Sequence, residues 1–264
     1  MNIELLQKAI DFYNDGNSMA KTAKIFHSTP NTLKKLFNEK NIHIRNQKEQ
    51  LILENIKRTK AINHNYFSVL NNENSYYIGF LAADGTIRKD RNEIKIGLSS
   101  VDKEFLQDFK EKIKTEKEIH TYMTSNGFEC SELSFSSLQM KLDLMNYGIV
   151  PNKTVIGLNL NLIPKQYQLA FIKGFFDGDG SVVFNKNTKQ IKVSFVSHTK
   201  EILEQINNFF NKQGYIYQDN RKILYYLAFS TLPSLAILKN FYKLNTPCLK
   251  RKYEKYQEIL ILRK

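Results

Sequence analysis

Two short segments of this chain end in the same two residues, an aspartate followed at once by a glycine. The first is Tyr77-Ile-Gly-Phe-Leu-Ala-Ala-Asp84-Gly85, and the second, about 95 residues further on, is Ile172-Lys-Gly-Phe-Phe-Asp-Gly-Asp179-Gly180. A carboxylate is a hard oxygen ligand, and two carboxylates in one place suit Mg²⁺ or a similar divalent ion. Asp84 and Asp179 can act together only if the elements that contain them bring them into contact.

Each segment is an apolar run of helical length with small residues four positions apart. These residues are Gly79 and Ala83 in the first segment and Gly174 and Gly178 in the second. Residues four apart lie on one face of a helix, and small residues there let two helix backbones approach closely. The pattern therefore predicts a packed pair of helices that places Asp84 and Asp179 side by side.

The ends of these predicted helices have an electrostatic consequence. We expect Gly85 and Gly180 to stop the helices in the left-handed conformation, so that each carboxylate lies at the negative end of a helix dipole. Two carboxylates and two negative helix ends repel each other strongly unless a cation is present. The sequence therefore predicts a metal site, with the backbone carbonyls of Ala83 and Gly178 as further ligands.

Together the two segments resemble the motif of the LAGLIDADG homing endonucleases, in the single-chain form with two copies of the motif. For either segment alone, an ordinary core helix is the alternative. The resemblance extends from about Ser75 to the C-terminus. It implies an α+β fold of two pseudo-symmetric αββαββα repeats that form a DNA-binding saddle. It also implies an endonuclease that uses Mg²⁺ or Mn²⁺ to make a double-strand break at a long recognition site.

The pattern after each motif repeats in the same order, which supports a duplication. Alternating apolar residues predict strands and helical periodicity predicts helices, in repeats that we place at 75–160 and 161–264. In the first repeat the predicted strands are 86–90, 93–99, 119–123 and 132–135, and the helices are 101–114 and 138–147. In the second the strands are 181–184, 191–196, 215–218 and 223–229, and the helices are 200–211 and 233–242.

One face of each predicted hairpin points away from the helices, because Ile191, Val193 and Phe195 must face the core. Amide, Lys and Arg side chains are suited to base edges in the major groove, and the resemblance favours DNA contact over an ordinary solvated face. The residues expected at DNA are Arg88, Glu93 and Lys95 in the first repeat and Val183, Asn185, Asn187, Gln190, Lys192 and Ser194 in the second.

The resemblance also implies a basic catalytic residue near each scissile phosphate. Gly148-Ile-Val-Pro-Asn-Lys153-Thr matches the GIxPxKT ending of a first repeat, and Leu249-Lys-Arg-Lys252-Tyr resembles the LxRKY segment of a second. A lysine there lowers the pKa of a metal-bound water or stabilises developing negative charge. Each of the two lysines is otherwise an ordinary surface charge, and Lys250 or Arg251 is an alternative to Lys252.

A polar, water-organising residue is implied at the start of the helix that follows the first hairpin. In the second repeat His198, or Ser197, occupies that position, with a structural histidine as the alternative, whereas the first repeat has Ser100. The two half-sites therefore need not cut at equal rates. Asp177 has Ala82 as its counterpart, so we expect Asp177 to be a surface residue at the helix end that metal binding does not require.

Residues 1–45 predict three short helices, the third capped by Ser28 or Thr29 and beginning at Pro30. A helix, a tight turn and a short basic helix resemble the helix-turn-helix of resolvases and transposases. The alternative is a three-helix packing domain with a solvated basic face. The resemblance places the third helix in the major groove, and the residues then near DNA are Thr29, Asn31, Thr32 and Lys35.

Residues 46–74 predict a basic linker that is helical from about 49 to 61. Such a linker either follows DNA phosphates or is only a solvated tether. The formal charge of +13 over 264 residues indicates a polyanionic partner, either nucleic acid or an acidic membrane surface.

Several classes of protein are disfavoured by the sequence. No apolar run approaches the length of a membrane span, and the N-terminus lacks the pattern of a secretory signal. Cys130 and Cys248 have neither a disulfide framework nor zinc-site spacing. We expect a monomer without an obligate protein partner or a membrane, acting on double-stranded DNA. The expected compartment is the cytoplasm of a bacterium or phage host, with an organellar matrix as the alternative.

A second function is open to the same fold. A LAGLIDADG protein that has lost cleavage acts as an RNA maturase or a DNA-binding transcriptional regulator. Loss of either acidic residue is the usual mark of such proteins, and both Asp84 and Asp179 are present. The predicted helix-turn-helix keeps the regulator under consideration.

Overall fold

The computed structural model describes residues 2–58, 61–219 and 224–263. The chain divides into two compact units, Met1–Lys60 and Ala61–Lys264, whereas the sequence analysis placed boundaries at 45 and 74. No helix within the described ranges is both long enough and apolar enough to cross a membrane.

The N-terminal unit is helical throughout its regular structure. Its helices are α1 (Ile3–Asn14), α2 (Met19–Ile25), α3 (Pro30–Glu39) and α4 (Gln47–Arg58). The side chains of Ser18 and Thr29 cap α2 and α3, each accepting a hydrogen bond from the backbone N–H three residues later. This is the capping chemistry that those residue types favour. The buried core consists of Leu6, Ala9, Ile10, Tyr13, Ala23, Leu33 and Phe37.

The segment after residue 45 is fastened to this unit rather than free. The guanidinium of Arg45 lies 3.7 Å from the centre of the Tyr13 ring and donates to the carbonyls of Tyr13 and Asn17. Gln50, in α4, accepts from Arg45 Nε. The predicted linker helix at 49–61 is therefore α4, which ends the N-terminal unit; residues 59 and 60 lie outside the described residues.

The second unit contains two repeats with the order αββαββα, as predicted. The first repeat consists of α5 (Asn72–Asp84), β1 (Gly85–Ile87), β2 (Glu93–Ser99), α6 (Lys103–Lys112), β3 (Ile119–Met123), β4 (Glu129–Ser136) and α7 (Leu138–Asn146). After the short helix α8 (Lys153–Ile156), the second repeat consists of α9 (Gln168–Asp179), β5 (Gly180–Asn185), β6 (Gln190–Ser197), α10 (Lys200–Phe209), β7 (Gly214–Asp219), β8 (Leu224–Phe229) and α11 (Thr231–Lys243). Ile223, predicted to begin the last strand, lies outside the described residues.

Each repeat forms a four-stranded antiparallel sheet, with the orders β1-β2-β4-β3 and β5-β6-β8-β7. Ile191, Val193 and Phe195 are buried against the helices, as their alternation predicts. The chain continues into α12 (Lys250–Leu262), a helix that the sequence analysis did not predict. Six of its thirteen residues are charged, and it buries only Lys252, Tyr256 and Ile259.

Helices α5 and α9 pack backbone against backbone. A Cβ atom placed on Gly79 would lie 1.9 Å from the carbonyl oxygen of Phe171, and one on Gly174 would lie 1.9 Å from that of Tyr76. No side chain fits at either point, because a carbon atom and an oxygen atom need more than 3 Å between them. The predicted close pair of helices is confirmed.

The predicted left-handed conformation of the glycines after the motifs is wrong. Gly85 (φ −81°, ψ 153°) and Gly180 (φ −101°, ψ 165°) are extended, so each helix passes directly into a strand. Glycine is required for space instead of for a positive φ. A Cβ atom would lie 2.5 Å from the carbonyl oxygen of Leu81 at the first position and of Phe176 at the second.

Residues 61–74 belong to the core of the second unit, which corrects their assignment to a linker. Phe67 is fully buried and packs near Phe109. The polar stretch at 71–75 is the start of α5, where Asn71 and Asn74 form a reciprocal capping box. The amide of Asn74 also donates to the carbonyls of Tyr66 and Val69, so the polarity of the buried Asn74 reflects capping and not solvent exposure.

Substitution of Gly79 or Gly174 by alanine should destabilise the second unit, because the new methyl group must push two helix backbones apart. Overpacking of this kind costs about 1–3 kcal/mol or more, measurable as a lower free energy of unfolding in urea. Gly97→Ala is the matched control, since nothing lies within 4 Å of a Cβ atom there. Equal stability of all three variants would show that the helices do not pack through these glycines.

Candidate functional site

The two motif aspartates meet at the end of the helix pair. A Cβ atom on Gly178 would lie 2.3 Å from Ala83 Cβ and 3.0 Å from Asp84 Oδ2. The carboxylate of Asp84 therefore lies against the backbone of α9, one residue before Asp179. The structure brings together all four residues predicted as metal ligands.

The two carboxyl groups are hard to ionise together. Burial, with a further contribution from the charge of Asp179, raises the pKa of Asp84 to about 6, although the ammonium groups of Lys252 and Lys153 oppose the rise. Burial also raises the pKa of Asp179, against the charges of Lys153, Lys252 and His198. An anion that is both desolvated and close to a like charge favours its protonated form. A bound cation would reverse that preference.

Lys153 lies at the C-terminus of α5. Its ammonium donates to the carbonyls of Ala83, at 3.2 Å, and Gly85, at 2.6 Å. Burial lowers its pKa, while the carboxylates of Asp179 and Asp84 act in the opposite direction. A positive charge at the negative end of a helix is favourable. The Ala83 carbonyl still has a second lone pair, so this hydrogen bond does not remove it from the predicted ligand set.

Lys252 makes the equivalent contact with α9 but is buried much more deeply, at 3% exposure. Its ammonium donates to the carbonyls of Phe176, Asp177 and Gly180, the last two at 2.8 and 2.7 Å. Burial lowers its pKa to about 8. Lys252 is therefore a buried helix cap and not a surface charge.

The two alternatives to Lys252 point elsewhere. Lys250 is largely exposed, 3.7 Å from a carboxylate oxygen of Glu104. Arg251 Nε lies 2.9 Å from the buried carboxylate of Asp102. That pair connects α12 to the first repeat.

Asp177 is fully buried, so the expectation of a surface residue is wrong. Its Oδ2 accepts hydrogen bonds from the Tyr76 hydroxyl at 2.6 Å and from the backbone N–H of Leu249 at 3.1 Å. Leu249 is the N-cap residue of α12, and an anion is favourable there. Asp177 thus fastens α12 to the helix pair, whereas the methyl group of its counterpart Ala82 cannot form such hydrogen bonds.

His198 shares a cavity with the second aspartate. The cavity has a volume of about 230 Å³, and its lining includes Asp179, Lys153, Thr154, Ser197 and His198. Counted back from the start of the next helix, His198 before α10 matches Val101 before α6, and the residue after Val101, Asp102, is paired with Arg251. The surroundings of the two aspartates are therefore chemically different.

The residues predicted to face DNA lie on the outward side of the sheets or in the hairpin turns. Of them, Lys95 is 2.7 Å from a carboxylate oxygen of Glu132 and Arg88 is 3.3 Å from one of Asp90. The remainder of the predicted set is exposed or half-buried: Glu93, Val183, Asn185, Asn187, Gln190, Lys192 and Ser194.

The predicted DNA-reading residues of the N-terminal unit are exposed at the start of α3: Thr29, Asn31, Thr32 and Lys35. The hydroxyls of Thr29 and Thr32 also hydrogen-bond to each other at 2.8 Å. Their contact with DNA stays a prediction.

Three tyrosines on the outward side of the second sheet were missed by the sequence analysis. Tyr215 and Tyr217 lie in β7, and their rings are 5.8 Å apart, while Tyr217 stacks on Tyr226 of β8 at 5.2 Å. The alternation of Tyr-Ile-Tyr in β7 would have placed both β7 tyrosines on one face.

The site suits a small, hard divalent cation. Within the described ranges no group of three or more His, Cys, Asp or Glu side chains could hold a metal, so the available ligands are Asp84, Asp179 and neighbouring backbone carbonyls. Because Gly178 has no Cβ atom, Asp84 Oδ2 lies close to the α9 backbone at this residue. Oxygen ligands with solvent completing the shell are what Mg²⁺ prefers.

This chain is similar to several known proteins. A model described as LAGLIDADG-like domain matches residues 71–127 and 166–241, about half of the chain. The uncharacterized protein MJ0314 of Methanocaldococcus jannaschii is 28% identical over 191 residues, which are 70% of this chain and 68% of that protein. The DNA-directed RNA polymerase subunit Rpo1C of the same organism is 29% identical over 164 residues, which are 59% of this chain but only 18% of the subunit.

Solved structures show the same fold. The meganuclease I-SmaMI, bound to uncleaveable DNA, has a TM-score of 0.51 at 14% identity, with 70% of this chain and 88% of that chain covered. The LAGLIDADG meganuclease I-AabMI, bound to uncleaved DNA, has a TM-score of 0.51 at 15% identity, with 73% and 90% covered.

Asp84→Asn should stabilise the metal-free protein at neutral pH. Because the folded pKa of Asp84, about 6, exceeds the unfolded value of about 3.9, the folded state binds a proton that the unfolded chain releases. The resulting stability is full below pH ~4 and is lost as the pH rises through 6. The variant should gain roughly 3 kcal/mol at pH 7, measured by urea unfolding in EDTA.

The exposed Asp90→Asn serves as the control: because the pKa of Asp90 is lowered, this carboxylate stays ionised above about pH 5, and its loss should leave the pH dependence between about pH 5 and 8 unchanged. Mg²⁺ should raise the stability of the original protein at pH 7 and have little effect on Asp84→Asn. Parallel pH profiles for the original protein and Asp84→Asn would contradict the assignment of a strained carboxylate pair.

Proposed function

Because this chain belongs to the LAGLIDADG-like family, we propose that it is a site-specific DNA endonuclease that makes a metal-dependent double-strand break. The observation that supports this most directly is the position of both motif aspartates at the end of the helix pair, where Asp84 Oδ2 lies beside the α9 backbone one residue before Asp179 and the charge of Asp179 contributes to the raised pKa of Asp84. Both carboxylates come from one chain, so a monomer is sufficient.

Asp84 and Asp179 would hold the divalent cation, Mg²⁺ or Mn²⁺, together with the Ala83 and Gly178 carbonyls. When bound, it would supply Lewis-acid activation of water and stabilisation of charge on the phosphate. The protein's own groups complete the site. Lys153 places its ammonium beside the α5 terminus in the same cavity as Asp179, where it stabilises negative charge that develops on the phosphate.

His198 and Lys252 have different roles in this proposal. His198 lines the cavity beside Asp179 and orients the attacking water, while the 3′ oxygen of the cleaved bond departs on the opposite side of the phosphorus. Lys252, with three backbone carbonyls as its partners, is a positioning residue that holds the end of α9.

The partner is double-stranded DNA bound across the outward faces of the two sheets. The net charge of +13 favours phosphate contact, and both I-SmaMI and I-AabMI were solved with DNA. We propose further that the exposed basic face of α3 binds DNA at one flank of the cleavage site.

A second candidate is a DNA-binding regulator that has kept the fold without cleavage. The N-terminal helical unit, with Asn31, Lys34 and Lys35 exposed on α3, favours it. Incubation with a randomised DNA library and Mg²⁺, followed by sequencing of cut ends, separates the two functions, because a regulator leaves no cut ends.

Asp84→Asn and Asp179→Asn should each abolish double-strand cleavage, because each removes an anionic ligand from a shared site. DNA binding should be kept or become tighter, since repulsion between carboxylate and phosphate falls. Cleavage is measured on plasmid DNA with Mg²⁺ and binding by gel shift in EDTA. Near-normal cutting by either variant would rule out the metal-site assignment.

The triple variant Asn31→Ala, Lys34→Ala, Lys35→Ala should bind the target more weakly but still cut it, because both motif aspartates remain. Each lost phosphate contact should make the slope of log affinity against log salt shallower by about 0.9, and the footprint should shorten on one side. Lys8→Ala, on α1, is the control. An unchanged footprint and slope in the triple variant would mean that α3 does not bind DNA.

A further inference from the structure

The outward faces of the two sheets can be compared position by position. Gly85 pairs with Ile96 in the first sheet, and Gly180 pairs with Phe195 in the second. Because these pairs start equivalent strands, Glu93 occupies in β2 the position that Lys192 occupies in β6. The same matching of β3 with β7 and of β4 with β8 makes His120 of the first sheet equivalent to Tyr217 of the second, and Glu132 equivalent to Tyr226.

The first face, defined as Glu93, Lys95, Glu132 and Ser134, is largely satisfied within itself. Lys95 Nζ lies 2.7 Å from a carboxylate oxygen of Glu132, and the Ser134 hydroxyl donates to Glu93 at 2.8 Å. Its positive charge is therefore matched by carboxylates on the same surface. A DNA strand that approaches it must compete with these contacts.

The second face, defined as Lys192, Tyr215, Tyr217 and Tyr226, has no carboxylate at the matching positions. The three rings form a stack, and Lys192 Nζ lies 6.0 Å from the ring centre of Tyr215 and 5.5 Å from that of Tyr217. Partial burial lowers the pKa of Lys192, but the charges and hydroxyls of both tyrosines outweigh it and raise the pKa overall. Lys192 therefore stays cationic without an ion-pair partner among the described residues.

The arrangement also fixes the position of the ammonium. A free lysine on a surface loses rotamer entropy when it binds a ligand, and a side chain that is already ordered loses less. The Nζ atom of Lys192 already lies beside the rings of Tyr215 and Tyr217 before DNA arrives. An open groove of about 420 Å³ leaves it accessible, with a lining that includes Val183, Asn185, Gln190, Lys192 and Tyr215.

We propose that the second face dominates sequence recognition and that Lys192 reads a guanine in the half-site beneath the second sheet. This inference rests on the proposed function and names how the DNA is recognised. A lysine is a donor only, and guanine presents two acceptors, O6 and N7, in the major groove. Glu93, at the same position of the first face, is an acceptor and suits the N4 amino group of cytosine instead.

The test is selection of bound sequences from a randomised double-stranded DNA library in EDTA, with base preferences read position by position. Purified protein should select guanine at one position of one half-site. Lys192→Ala should reduce that preference roughly ten- to hundredfold. Lys192→Glu, which introduces the residue type of the first face, should shift the preference towards cytosine, and Tyr217→Phe should weaken it by a smaller factor.

Lys95→Ala is the matched control, because it removes an outward lysine from the first face and should leave the guanine position unchanged. Unchanged preferences at every position in both Lys192 variants would overturn the inference. Selection of guanine that depends on Lys192 only through overall affinity, with all positions affected equally, would also overturn it. Failure of the proposed function has a different signature, namely normal selection in EDTA with no cut ends when Mg²⁺ is added.

Discussion

The structure depends on one contact, the approach of the α5 and α9 backbones at Gly79 and Gly174. At 1.9 Å from a carbonyl oxygen, even a Cβ atom is excluded at both glycines. Such proximity is possible only where neither helix has a side chain. Because α5 and α9 pack against each other at these glycines, the sheets of both repeats follow from one helix pair. Both motif aspartates lie at the same end of that pair.

That contact creates an electrostatic problem which the rest of the site must offset. Asp84 and Asp179 are desolvated beside two negative helix ends, and burial raises the pKa of both. Lys153 and Lys252 neutralise the helix ends by donating to carbonyls of the last turns, those of Ala83 in α5 and of Asp177 in α9. The charges of the two lysines therefore offset part of this repulsion when no metal is bound, while the two aspartates still favour a bound cation.

The two repeats share their architecture but not their chemistry. Asp177 binds the backbone of Leu249 where Ala82 has no equivalent contact, and Lys192 replaces Glu93 on the outward face. These differences lie at positions that touch α12 or solvent. The helix contact itself leaves no room for a Cβ atom at Gly79 or Gly174, and both repeats have glycine there.

The sequence by itself determined the features that depend on neighbouring residues. The motif spacing predicted the helix pair, alternation placed Ile191, Val193 and Phe195 inside, and Ser28 or Thr29 followed by Pro30 marked the start of the third helix. Each of these signals is read within a few positions of the chain.

Only the tertiary structure decided which residues from distant segments contact one another, and which of them are buried as a result. Asp177 is buried where the backbone of Leu249, 72 residues away in sequence, donates a hydrogen bond to its carboxylate. Phe67 is buried where Phe109 of α6 packs near it. Polarity alone indicated a surface or a linker in both regions. Periodicity records which face of an element is apolar, but the partner of a charged or polar group is set by the packing of elements far apart in sequence.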